Sequence, residues 1–451
     1  MTSQDFLYHP ATADTARTVP SYWEATAGPA PEGCAPLTGD ESCDVAVIGG
    51  GYTGMSAALH LARDLGVDVR VLEAGPIGWG ASGRNGGFNC VGAAKLSGAA
   101  MLKRVGRDEV RRYFAAQIEA TELVAALARD EGIDLDRQGD GVISVAHKPG
   151  RVRELEEEAR WDREVSGLTS TLWSRSELRE RGYAGPEAHG GLHHAAGFGL
   201  HPLKYHRGLT RAALARGARI HDRSRVTGWQ REGGGHRLVT AGGSLRAKRV
   251  LIATNGYTTD GLHPYLAGTF LPALSSIVVT RPLSEAERQA QGWTTETPLS
   301  DTRNLLFYFR LLKDGRLLLG SRGGTWGSPE ALAAYRRWLE GRIGIAYPAW
   351  RGVETTHFWS GLVCLSANLT PMLGQVPDDP GVWYALAYHG NGVASAGWAG
   401  RAVAHAMTGS PVPGVGIPAL MAAAPTRFPL GAHRRWLLKA AYIRFMIQDL
   451  L

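Results

Sequence analysis

Cysteine is scarce in this 451-residue chain. The four present, Cys34, Cys43, Cys90 and Cys364, are scattered. That excludes a disulfide framework and a zinc knuckle, and it points to a reducing compartment. No apolar run approaches the ~18 residues expected of a membrane-spanning helix. The N-terminal stretch lacks the apolar core of a secretory signal, so a cytoplasmic setting is expected. The net charge is +7, and the basic residues are spread out rather than clustered, which speaks against a nucleic-acid surface. His193, His194, His201 and His206 lack the spacing of a metal site, so no metal is expected. What the chain has in excess is glycine, 59 of 451 residues, against a usual ~7%. With 44% hydrophobic and 20% charged residues the chain is neither collagen-like nor disordered. The glycines therefore mark turns and places where backbone comes close to a ligand.

Residues 1–40 read as an extended arm tacked down by Tyr22 and Trp23. Regular structure begins after Cys43. Asp44 to Ile48 is a short apolar strand, followed by Gly49-Gly50-Gly51-Tyr52-Thr53-Gly54, a helix from Met55 to about Leu65, and a strand from Val67 to Leu72. This is one strand–helix–strand unit of the expected ~30 residues. Helical spacing recurs at 107–130, 151–165, 203–216 and 395–407. Strands are expected at 141–145, 218–226, 275–282, 304–320 and 382–387, with a hairpin in 236–253 that turns at Gly242-Gly243. Ser328 and Pro329 open a further helix.

Gly49-x-Gly51-x-x-Gly54 lies between a strand and a helix, and Glu73 ends the next strand. This context gives the motif a mechanism. Gly49 permits the tight turn, Gly51 lets backbone reach a pyrophosphate, and Gly54 lets helix and strand pack closely. Tyr52 and Thr53 sit at the helix N-terminus, which favours phosphate charge. Glu73, followed by Ala74, is placed to accept hydrogen bonds from ribose hydroxyls. A second glycine-rich loop follows, GPIGWGASGRNGGFNCVG, from Gly75 to Gly92. A flavin dinucleotide extending across the domain needs such a loop. Ser82, Arg84 and Asn85 supply donors for phosphate or ring oxygens, and Gly86 and Gly87 supply clearance. No second GxGxxG in strand–helix context marks a separate nicotinamide domain.

With these two glycine-rich loops and Glu73 in this order, the chain resembles the D-amino acid oxidase superfamily of FAD oxidoreductases. Within it the likeness is nearest to the gamma-glutamylputrescine oxidoreductase branch. The matching segments are Ser21-Tyr22-Trp23, IGGGYTGMSAAL, EAGPIGWGASGRNGG, GGLHHAAGFGLHPLKY, VLIATNGYT, NLLFYFRLLKDGRLLLG, FWSG and RFPLGAHRRWL. The resemblance implies an α/β fold in which a Rossmann-like FAD domain is built from separated segments and a mixed-sheet α+β substrate domain is inserted between them. The expected segments are an arm at 1–40, FAD-domain parts at 41–95, 200–260 and 355–424, substrate-domain parts at 96–199 and 261–354, and a basic amphipathic tail at 425–451. Val226 is implied as a backbone contact to adenine. Thr254, Asn255 and Gly256 are implied beside the cofactor, and Gly390, Asn391, Gly392 and Val393 as the turn that meets the flavin pyrimidine. Asn391 fills the position where the family has histidine, which leaves the role of the neighbouring His389 open.

The resemblance also implies the chemistry. A substrate C–H beside an amine transfers hydride to flavin N5, so the protein has to orient the substrate. Tyr308 and Arg310 fall on one face of a strand. The tyrosine is placed to line the flavin, and the arginine to pair with a substrate carboxylate. Trp359, before Ser360 and Gly361, is a cavity wall or core residue. Covalent attachment would fall to Cys364, but the branch does not require it, so non-covalent FAD is expected. The expected partners are a small amine and molecular oxygen or another acceptor. Two rivals are a dehydrogenase passing electrons to a quinone or protein, and a flavoprotein acting on tRNA. In the tail, Trp436, Ala440, Ile443, Met446, Ile447 and Leu450 share one helical face. This stripe is expected to dock on the protein's own surface, with weak membrane-surface contact as the alternative.

Overall fold

The computed structural model describes residues 7–450, with the side chain of Leu450 and the first six residues of the expected arm outside the description. The arm is anchored as expected: Ser21 caps helix α1 (Tyr22–Thr26), whose Tyr22 and Trp23 are buried. Strand β1 (Gly39–Ile48), helix α2 (Tyr52–Arg63) and strand β2 (Val69–Leu72) form the first unit. After β3 (Phe88–Cys90) comes helix α3 (Gly98–Asp130), broken at Gly106, where φ is 79° and ψ 172°. Next are β4 (Val142–Val145), α4 (Val152–Trp161), β5 (Ser170–Ser174), α5 (Arg175–Glu180), β6 (Gly190–His194), β7 (Gly197–Gly199) and α6 (Pro202–Ala215). Strands β8 (Arg219–His221), β9 (Gly228–Glu232), β10 (Gly235–Val239), β11 (Gly243–Ile252) and β12 (Phe270–Pro282) follow. Helix α7 (Glu285–Gln291) precedes β13 (Leu299–Asp301), β14 (Phe307–Leu311) and β15 (Arg316–Arg322). The last elements are α8 (Pro329–Ala346), β16 (Thr355–Ser366), β17 (Met372–Val376), β18 (Asp379–Leu386), α9 (Gly392–Thr408), α10 (Ala419–Ala422) and α11 (Arg435–Leu450).

Two eight-stranded sheets organise these elements. The first runs β17-β18-β11-β1-β2-β8, with the β9–β10 hairpin attached to β11. Its centre is parallel. Val45 to Ile48 are all buried, as a strand covered on both faces requires. Helices α2, α3, α6 and α9 share one apolar core against it. The second sheet runs β16-β12-β15-β14-β13-β4-β6-β5 and is antiparallel except for the β13–β4 pair. A separate core holds it to α5 and α8.

Several boundaries differ from the sequence expectations. The strand expected over 218–226 ends at His221. Arg223 adopts a φ of 48°, its N–H donates to Gly75 O, and Ser224 N–H donates to Glu73 O. These bonds pull the chain out of the sheet and across the end of β2. Residues 355–366, expected in the third FAD segment, form β16 in the second sheet through its long pairing with β12. Helix α3, expected with the substrate segment, packs in the core of the first sheet.

The tail does dock on the protein, but by the opposite face from the one expected. Arg434 donates to both Asp260 oxygens at 2.8 and 2.9 Å, Asp449 accepts from Asn304 and Leu305, and Leu438 is buried. The apolar stripe points outward: Trp436, Ile443, Met446 and Ile447 are 59%, 58%, 50% and 53% exposed. Polar anchors, not the stripe, decide which side of α11 faces in. Among the described residues no helix is long and apolar enough to cross a membrane, and no group of three His, Cys, Asp or Glu could hold a metal.

Candidate active site

A long cleft opens at the C-terminal ends of β1, β2 and β11, where parallel sheets place ligands. At one end Glu73 is gripped by backbone: Gly50 N–H donates to Oε2 at 2.7 Å and Gly75 N–H to Oε1 at 2.9 Å. Burial pushes its pKa up, and these N–H groups together with nearby Arg225 pull it back. Two of its four lone-pair sites remain for ribose hydroxyls. Ala74, Arg225 and Val226 line the same end.

The middle of the cleft is the N-terminus of α2. Gly51 is the cap residue and offers no side-chain oxygen to the first turn. Only Tyr52 N–H is met by a side chain, Ser82 Oγ at 2.9 Å. Unfilled donors at a helix start are the standard cradle for a phosphate. His206 braces the turn from behind by donating to Gly50 O at 2.6 Å, and burial lowers its pKa to about 4, so it is neutral.

At the far end the β18–α9 connection turns sharply. Ala387, His389 and Gly390 all have positive φ, 66°, 53° and 103°. Such strain in two non-glycine residues needs support. Asn255 Oδ1 accepts from Ala387 N–H at 2.9 Å, and Arg322 Nη2 donates to His389 O at 2.6 Å. A Cβ at Gly390 would lie 2.1 Å from that guanidinium. Thr53 and Tyr388 share a 2.7 Å hydroxyl contact that ties this turn to α2. The His389 ring meets Ser366 Oγ at 3.2 Å, and burial depresses its pKa to about 3. It is a neutral structural support rather than an acid or base.

The residues expected from sequence divide into two groups. Gly49, Gly51, Tyr52, Thr53, Glu73, Ala74, Ser82, Asn85, Val226, Thr254, Asn255, His389, Gly390, Gly392 and Val393 line the cleft. The others stand behind it. Gly54 sits under Gly49, and Gly256 faces Leu362. Arg84, expected to meet phosphate or ring oxygens, turns away: it lies 3.9 Å over the Trp79 ring and donates to Trp79 O and Ser360 O. Gly361 packs against it. Asn391 donates to Val91 O at 2.8 Å. Trp359 donates to Arg84 O at 2.8 Å, so it orders the glycine-rich loop.

Tyr308 lies over that loop, its ring 2.9 Å from where a Gly86 Cβ would be, and its hydroxyl meets Ser275 Oγ at 2.7 Å. Burial pushes its phenol up to about 12. Arg310 does not reach toward a ligand. Its Nη1 donates to Gly87 O and Leu200 O at 2.7 and 3.1 Å, and its Nη2 to Gln138 at 3.2 Å. The expected carboxylate partner is replaced by protein carbonyls, because the side chain is buried between the loop and the start of α6.

Sequence reasoning missed four features. Arg225 was signalled only by its neighbour Val226. Trp79 lies inside the second glycine-rich loop. The arm crosses the cleft mouth: Ala13 and Thr15 line it, and Arg17 O accepts from Trp79 Nε1 at 2.9 Å. Removing residues 1–17 is expected to speed FAD loss by about tenfold, one lost hydrogen bond plus opened cover; a fluorescence time course of flavin release checks it. Finally, Arg322 stands against the Gly390 turn, where a Cβ would lie 2.1 Å from its Nη2.

Glycine turns at two helix starts, a carboxylate with free acceptor sites and a cleft joining them fit an extended dinucleotide. The chain belongs to the FAD dependent oxidoreductase family, which matches residues 44–406. It is therefore an FAD-dependent oxidoreductase. It is similar to gamma-glutamylputrescine oxidoreductase of Escherichia coli, 32% identical over 82% of this chain and 84% of that one. A probable oxidoreductase, OrdL, of Haemophilus influenzae is 31% identical over 83% of this chain and 85% of that protein. Among solved structures, glycine oxidase from Geobacillus kaustophilus superposes with a TM-score of 0.70 at 22% identity, covering 86% of this chain and 99% of that one.

Proposed function

We propose that this protein oxidises a small primary or secondary amine or amino acid derivative, of the gamma-glutamylputrescine kind, to an imine that water then hydrolyses. The observation that carries this reading is the 32% identity to gamma-glutamylputrescine oxidoreductase along most of both chains. When bound, FAD would supply the two-electron acceptor for oxidation of the carbon beside the amine. The chain's own residues do the positioning. The α2 start and Glu73 hold the dinucleotide. The Gly390–Val393 turn at the α9 start would set positive backbone charge beside a bound flavin ring. Tyr308, packed behind the glycine-rich loop from the second sheet, stays protonated, since a phenol near 12 is no base at neutral pH. Oxygen is the proposed acceptor, giving hydrogen peroxide. The four cysteines are all free, in keeping with the proposed cytoplasmic setting.

Non-covalent FAD belongs to the same proposal. Cys364 lines the cleft, but burial pushes its thiol up to about 12, so no thiolate is available there. Acid precipitation is expected to leave all flavin in the supernatant; a yellow pellet would show a covalent bond.

The outward apolar face of α11 favours a second reading, a dehydrogenase that meets a quinone at a membrane surface. Comparing peroxide release with quinone or dye reduction, with and without anionic vesicles, separates the two. Stoichiometric peroxide and no co-flotation with vesicles supports oxygen. Quinone reduction that needs vesicles supports the other.

A further inference from the structure

We propose that a cavity of about 370 Å³ under the N-terminal arm binds a small organic anion with an apolar body, and that this occupant helps to hold FAD. The cavity is separate from the cofactor cleft but shares two wall residues with it, Trp79 and Leu362. Its volume is that of an ordinary small-molecule site. One wall is β16, the edge strand of the second sheet, which contributes Phe358 and Leu362. Pairing with β12 sets Leu274 opposite Leu362, and Leu332 adds the first turn of α8. The arm covers these walls with residues between Ala11 and Pro20. It is pinned on both sides of the cavity. A Cβ at Gly327 would lie 2.4 Å from Thr12, and Arg17 O accepts from Trp79 Nε1 at 2.9 Å.

The charged groups of the lining are three arginines and one acid, Asp14. Arg336 pairs with Glu340 at 2.8 Å, and the Asp14 carboxylate accepts from Ala16 N–H at 3.1 Å. Among the described residues, no carboxylate lies within ion-pair distance of Arg17 or Arg84. Arg84 spends Nε and Nη1 on carbonyls, and its buried Nη2 has no hydrogen-bond partner. An unmet buried donor is costly, and an anion that accepts from it removes the cost. Carboxylate or sulfonate oxygens match a guanidinium fork, while the leucines and Phe358 favour a hydrocarbon body. The same stretch of arm also serves the cofactor, since Ala13 and Thr15 line the cleft. An occupant seated between the arm and Trp79 stabilises the closed arm. It therefore tightens FAD, and by linkage FAD tightens the anion by the same factor.

The test uses octanoate as the probe, titrated calorimetrically into the FAD-loaded protein. One octanoate per chain is expected to bind, and uncharged 1-octanol at least about tenfold more weakly, since it lacks the charge-assisted bond. Leu332→Trp fills the cavity and should abolish binding. Arg17→Gln should weaken it about tenfold, the loss of one charge-assisted hydrogen bond. Flavin content and thermal midpoint should stay unchanged in both, because Leu332 is half-buried and the Arg17 side chain is exposed. Saturating octanoate should slow flavin release about fivefold in the unaltered protein and not in Leu332→Trp. Absence of saturable binding overturns the proposal. So does binding that Leu332→Trp leaves intact, which would put octanoate elsewhere. If Leu332→Trp fails to fold, unchanged affinity in Arg17→Gln overturns it instead. Cavity-dependent binding with unchanged flavin release overturns the hold on FAD. None of these readouts involves an amine, so failure here is distinct from failure of the proposed reaction.

Discussion

Gly51→Val should give a folded protein that holds no FAD. The backbone at Gly51 has φ −80° and ψ −169°, an extended conformation open to any residue, so valine brings no backbone strain. The nearest obstacle to a Cβ is Ser82 Oγ at 3.0 Å, a hydroxyl that can rotate away. The cost to stability is therefore about 1 kcal/mol, one displaced hydrogen bond. The cost to binding is far larger, because the valine methyls fill the space before the α2 start where pyrophosphate oxygens meet backbone N–H groups. Flavin content should fall from one per chain to a trace, with the thermal midpoint close to that of the apoprotein. Stoichiometric flavin in this variant would refute the assignment of the cleft. Gly54→Ala is the contrasting case. Its Cβ would lie 2.0 Å from Gly49 O, which is backbone and cannot step aside. That change should cost the fold itself about 3 kcal/mol or more.

Arg310→Met should destabilise the protein by about 3–5 kcal/mol, since buried acceptors that lose their donor cost about 1–3 kcal/mol each. The guanidinium is almost fully buried and remains charged at neutral pH, since burial brings it down only to about 10. Truncation leaves Leu200 O and Gln138 Oε1 without the donor they have in Arg310, and Gly87 O with only the Leu200 N–H. Gly87 belongs to the second glycine-rich loop, so the loop should loosen and flavin affinity should fall with it. Urea unfolding measures the first effect and flavin release the second. The KM for the amine, measured with saturating FAD, should stay within about twofold, because the side chain makes no approach to the substrate. A large rise in KM with unchanged stability would restore the direct carboxylate role that the strand pattern alone suggests.

Arg310 shows where sequence reading stops. Its type and its strand face were legible from alternation. Its three partners lie 223, 110 and 172 residues away in the chain, and no local pattern announces them. The glycine turns were legible for the opposite reason. Gly49, Gly51 and Gly54 each answer a local need of the β1–α2 connection, and Glu73 follows at the end of the next strand. The support that Arg322 gives the Gly390 turn was illegible because it comes from the end of β15, 67 residues away in the chain from the carbonyl it meets. The α11 stripe was legible as a pattern but not in direction, since ionic and polar contacts at Arg434 and Asp449 seat the helix. Likewise β16 carries a strand signal, yet only its pairing with β12 reveals which sheet it joins.

This chain is expected to hold FAD and to use it to oxidise an amine. The most direct test mixes the purified yellow protein with a panel of primary and secondary amines, including gamma-glutamylputrescine, in the absence of oxygen. At least one of them should bleach the visible flavin band within a turnover, and air should restore the colour with release of one equivalent of peroxide per flavin. A colourless protein that cannot be reconstituted with FAD would contradict the account at its base, and a stable yellow protein that no amine in the panel bleaches would contradict the reaction assigned to it.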